Sequence, residues 1–94
     1  MTRENFKEIR KLFAKAHYAG RKNLVYLRED IGNIIQNNIT SEKKIEGLLD
    51  QLLDCLYLGI GEEEFKKLNR YYTTINKDHA TFYQRSYQDI VEEI

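Results

Sequence analysis

The chain has 94 residues, enough for one small domain. Its 15 Lys and Arg balance its 15 Asp and Glu, so no net field draws it to nucleic acid or anionic lipid. Apolar residues at 41% and charged ones at 32% exclude a disordered segment. No Pro, five Gly and one Cys exclude turn-rich sandwiches and disulfide scaffolds, leaving a helical domain.

Segment one, from Thr2 to about Ala19, carries Phe6, Ile9, Phe13, Ala16 and Gly20 at spacings of three and four. Leu12 widens that stripe, while Lys7, Arg10, Lys11 and Lys15 lie largely off it, as in an amphipathic helix. Thr2 is the expected N-cap and Gly20 the expected stop. Segment two, from Arg21 to Asn37, places Leu24, Leu27, Ile31, Ile34 and Ile35 toward the core and ends at Asn37-Asn38. Thr40 or Ser41 then caps segment three, Glu42 to Leu58. There Ile45, Leu48, Leu49, Leu52, Leu53, Leu56 and Tyr57 cover more than half of a helical wheel and predict the best-buried helix. Gly59-Ile60-Gly61 reads as a tight turn, with the first Gly left-handed and Glu62-Glu63-Glu64 favouring the positive end of the next helix.

Segment four carries Phe65, Leu68, Tyr72 and Ile75. It continues as one helix through His79, Phe82 and Ser86, or breaks at Asn76-Lys77-Asp78 before a short helix bearing Tyr83, Tyr87, Ile90, Val91 and Ile94; the break is preferred. Short connections make consecutive helices antiparallel neighbours. The expected fold is all-α, an antiparallel up-down four-helix bundle with a short extra C-terminal helix, in a single domain over residues 1–94. The polar N-terminus has no signal-peptide core, and the apolar stretch from Gly47 to Gly61 is too short to span a membrane, so a cytoplasmic protein is expected.

Chemistry is sparse. His17, His79 and Cys55 fall on three separate segments without metal-ligand spacing, and neither His follows a Glu by three residues as di-iron bundles require. Cys55 sits mid-helix among leucines, where a thiol is a small hydrophobe rather than a nucleophile. Gly59-x-Gly61 lacks the third Gly and the strand of a dinucleotide loop. No enzyme, cofactor or metal is expected.

Charge is uneven. Residues 1–47 hold ten Lys and Arg against six acids, and residues 48–94 hold five against nine. The basic face Lys7, Arg10, Lys11 and Lys15 supports an alternative reading as a small DNA-associated or regulatory helical protein, or one grazing anionic lipid. No recognition-helix signature accompanies it, and nucleic acid is not the expected partner. Of seven tyrosines, Tyr71, Tyr72, Tyr83 and Tyr87 crowd the last quarter beside Phe82. Tyr is a favoured interface residue, so Tyr71, Tyr83, Arg85 and Tyr87, with Lys77 at the rim, are the expected partner contacts. A homodimer through a self-complementary Tyr face is compatible with this.

The run Ile45-Glu46-Gly47-Leu48-Leu49-Asp50-Gln51-Leu52-Leu53-Asp54-Cys55-Leu56-Tyr57-Leu58, a short turn and Phe65-x-x-Leu68 resemble the enterocin A/pediocin-type bacteriocin immunity proteins, most clearly over Leu48–Tyr72. The resemblance implies a cytoplasmic four-helix bundle without catalysis that protects a cell from a pore-forming peptide toxin. It further implies action at the inner face of the membrane. There the C-terminal half, here Gly61 to Ile94, would recognise the toxin bound to its receptor, a mannose-type sugar permease.

Overall fold

A computed structural model describes residues 3–93, with side chains from Glu8 to Glu93. The expected cap Thr2, the Phe6 side chain and Ile94 lie outside these limits. Four helices follow in order: α1 (Arg3–Gln36), α2 (Glu42–Leu56), α3 (Glu62–Thr73) and α4 (Lys77–Glu93). The all-α four-helix architecture is as the sequence predicts, but the chain divides differently. Segments one and two are a single helix of 34 residues.

Gly20 does not stop α1. The apolar phase runs unchanged through it, from Phe13 and Ala16 to Leu24 and Leu27, and no Pro or capping residue interrupts the ladder. Its missing side chain serves close packing instead: a Cβ at Gly20 would lie 2.6 Å from Cδ1 of Leu58. The true end of α1 is built by Asn38, which takes φ 52°. The amide of Ile39 donates to the Ile34 carbonyl at 3.0 Å, and that of Asn38 to Ile35 at 3.3 Å, the paired bonds of a Schellman stop.

Ser41 caps α2, its hydroxyl accepting from the Lys44 amide at 3.3 Å. Gly59 and Gly61 both take positive φ, 75° and 86°, and turn the chain into α3. Tyr57 is the C-cap of α2 rather than part of its apolar face, and stands exposed. Segment four breaks as preferred. Asn76 starts α4 by accepting the His79 amide on its side-chain oxygen at 3.1 Å. At 17 residues α4 is the longest helix after α1, not a short appendage.

Helices α2 and α3 each pack against all the others, whereas α1 and α4 take opposite corners and do not meet among the described residues. The core joins Leu24, Leu27, Ile31 and Ile34 of α1 to Ile45, Leu49 and Leu52 of α2, Phe65, Leu68 and Tyr72 of α3, and Ala80, Tyr83, Tyr87 and Ile90 of α4. Arg28 of α1 pairs with Glu64 of α3 at 3.3 Å on the rim. Leu24 is the first buried residue among the described side chains; the turns of α1 before the Gly20–Leu58 contact project from the bundle and stretch the molecule to 51 × 25 × 19 Å. No helix among the described residues is long and apolar enough to cross a membrane.

Gly61→Ala tests the α2–α3 turn. A Cβ there meets that of Cys55 at 3.2 Å on a left-handed backbone, so chemical denaturation is expected to show a loss of at least about 1–2 kcal/mol.

Candidate functional site

The chemically dense part of the molecule is the seam where α2, α3 and α4 meet. Carboxylates recur every four residues along α2, at Glu42, Glu46, Asp50 and Asp54, which places them along one side of the helix. Buried tyrosines from the other two helices direct their hydroxyls toward that row. Tyr72 is wholly buried, and its hydroxyl donates to Glu46, with Glu42 also within reach at 3.2 Å. Tyr83 donates to Asp50 at 2.8 Å. Tyr87 reaches a carboxylate of α3 instead, donating to Glu62 while its ring stacks on Phe65 with centroids 5.2 Å apart.

His79, on the first turns of α4, completes the upper end of the seam. Its Nδ1 lies 2.7 Å from Glu46 Oε2 and 3.7 Å from Glu42 Oε1, and the Asn76 amide donates to Glu42 at 2.5 Å. These contacts shift the titrations. Hydrogen bonds from Tyr72 and then His79 hold the Glu46 carboxyl below its ordinary range. The Glu46 hydrogen bond, reinforced by both glutamate charges and Asp78, holds the His79 imidazole above its own. Burial, followed by the carboxylate it touches, pushes the Tyr72 and Tyr83 phenols up, while for Tyr87 the Glu62 hydrogen bond comes first. Glu42, Glu46 and His79 each offer a ligand atom, all within 4.8 Å of one another. Such an N,O,O set suits a zinc-like divalent ion; here His79 is hydrogen-bonded to Glu46, and Glu42 accepts from Asn76.

The expected contact residues are thereby redistributed. Tyr83 and Tyr87 are core residues, only 6% and 7% exposed, so their rings are not on offer to a partner. Tyr71 is half-buried and donates to the Ile39 carbonyl at 2.7 Å, tying α3 to the end of α1. Lys77 and Arg85 are exposed on α4. The exposed aromatics lie elsewhere: Phe82 on α4, Tyr57 after α2, and Phe13, Tyr18 and Tyr26 on α1. Cys55 is buried and its thiol is pushed up by that burial and by the neighbouring Asp54 and Glu64 charges, which suits an inert packing group.

Sequence reasoning missed Asn69 and the acids of α2 that form the seam. Asn69 is buried and its amide donates to the Ala80 carbonyl at 2.9 Å, clamping α3 to α4. Glu46 joins His79 from 33 positions away. The available signal was the four-residue spacing of the α2 acids. Comparison of the chain with protein-family models, with curated proteins and with solved structures finds no match.

The seam sets a pH dependence. A raised His79 pKa contributes stability that is full below the ordinary histidine value of 6.5 and is lost as pH rises through the folded value. A lowered Glu46 pKa contributes stability present above 4.5 and lost as pH falls through its folded value. Thermal unfolding followed by circular dichroism should therefore peak between about pH 4.5 and 6.5, and His79→Gln should flatten the decline on the alkaline side. Tyr83→Phe, which removes the hydroxyl bonded to Asp50, should cost about 1 kcal/mol in denaturant titration.

Proposed function

We propose that the protein is a non-catalytic binding protein of the bacteriocin-immunity kind. It would act from the cytoplasmic side on a pore-forming peptide held by its membrane receptor, a mannose-type sugar permease. The residues that carry the resemblance, Leu48–Tyr72, form most of α2, the turn with two left-handed glycines and nearly all of α3. The C-terminal half assigned to recognition is α3 and α4, whose mutual position is held by the tyrosine–carboxylate seam and by Asn69. A surface fixed in this way loses little freedom on binding.

The observation that carries the reading is Phe82. It stands 65% exposed on α4, and Arg85 follows at helical spacing, also exposed. Aromatic residues and Arg are the residues enriched at interface centres. The contact surface accordingly centres on Phe82 and Arg85 with Lys77 at one end, and Tyr83 and Tyr87 support it from beneath.

Expression inside a toxin-sensitive bacterium tests this. Survival against a panel of pediocin-like peptides is expected to rise for one or a few of them. Phe82→Ala with Arg85→Ala should abolish that protection while leaving the helical signal and melting temperature unchanged. Folded, abundant protein that protects against no peptide would overturn the proposal.

A further inference from the structure

The apolar stripe of α1 does not end where the bundle does. Leu24, Leu27, Ile31 and Ile34 are covered by α2 and α3. Ile9, Leu12, Phe13 and Ala16 continue the same helical phase toward the N-terminus, where Leu12 and Phe13 are 65% and 67% exposed. Residues 3–22 thus form an amphipathic arm about 30 Å long at 1.5 Å per residue, whose apolar side meets Leu58 at Gly20 and stands open at Leu12 and Phe13.

The charges say what covers it. Residues 3–22 hold seven Lys and Arg against two Glu, and residues 23–94 hold eight against thirteen acids, so a net +5 arm projects from a net −5 body. Between α2 and α4 the body carries a shallow groove lined by Leu53, Tyr57 and Ile90 together with Ser86 and the acids Asp50, Asp54 and Asp89. Its apolar residues match the arm's stripe and its acids match the arm's lysines. In its own chain the arm meets only the near edge of this groove, where Phe13 and His17 flank Tyr57. It cannot lie along the α4 side without breaking α1, because α1 is at the corner opposite α4.

We infer that the arm docks on a second copy of this chain, each arm lying in the α2–α4 groove of the other in a closed, two-fold exchange. Other occupants fit less well. An anionic membrane or nucleic acid would accept the arm but repel the acidic body. Two arms packed face to face would juxtapose basic flanks. Only arm against body brings opposite signs together, and a closed two-fold exchange makes that contact twice per dimer.

Sedimentation equilibrium of the full chain is the test. Twice the 11.2 kDa chain mass is expected at low ionic strength, with weaker association in high salt because exposed charges are screened. Phe13→Asp should weaken the dimer at least about tenfold while circular dichroism still shows a folded bundle. Lys11→Glu with Lys15→Glu, and separately Asp54→Lys with Asp89→Lys, should each weaken self-association, and mixing the two variants should restore a heterodimer in which both arm–groove contacts pair opposite charges. A monomer at every concentration and salt would overturn the inference, as would a dimer indifferent to Asp54→Lys and Asp89→Lys. A monomer that instead binds phosphatidylglycerol vesicles through Phe13 would overturn it in favour of a lipid surface.

Discussion

Three buried tyrosines decide how the C-terminal half is assembled. A phenol ring supplies more core volume than an aliphatic side chain, which a 94-residue chain needs, but its hydroxyl must not be left without a partner. Tyr72, Tyr83 and Tyr87 resolve the conflict alike: the ring enters the core and the oxygen emerges beside a carboxylate of another helix. Each such bond fixes a rotation and a register as well as satisfying a group. The row of acids on α2 therefore sets where α3 and α4 can lie, and the Phe65–Tyr87 stack and the Asn69 clamp close the remaining freedom between those two.

Around that three-helix unit α1 plays a simpler part. Four aliphatic residues at helical spacing fill the remaining corner, and the Schellman stop at Asn38 returns the chain to α2. Nothing in that role requires 34 residues. The excess is a basic amphipathic extension on a neutral protein, and the countercharge resides in the remainder of the chain. Fold and surface are in this sense designed by different segments: the tyrosines and acids of the C-terminal half hold the body, and the N-terminal turns give it polarity.

Much of the fold is legible in the residues. The Leu-rich phase of α2, the Ser41 cap, the paired glycines and the Asn76 break each have a local physical cause, and each occurs where that cause predicts. Gly20 misleads because a glycine signals either a left-handed stop or a close approach, and only the position of Leu58 reveals which. The seam was less legible. His79 carries no metal-binding or catalytic spacing, and its neighbours come from a helix more than thirty positions away, so their meeting depends on register rather than on any short pattern. The crowded tyrosines misled in the opposite sense: composition marks them for an interface, whereas the acids opposite them allow them to be core.

The placement of α1 opposite α4 also orders the opening of the molecule. Every pair of helices adjacent in sequence is adjacent in space, a local topology that favours fast folding. Release of α1 uncovers one side of α2 and α3 and leaves the seam with α4 intact, whereas loss of α2 or α3 dismantles everything. Amide protection should accordingly be graded: highest in α2 and α3, lower in the inner half of α1, and lowest in its projecting turns, where Leu12 and Phe13 stand exposed. A partner that covers those turns would convert the most rapidly exchanging stretch of the chain into a protected one, so the exchange pattern itself records whether the extension is occupied.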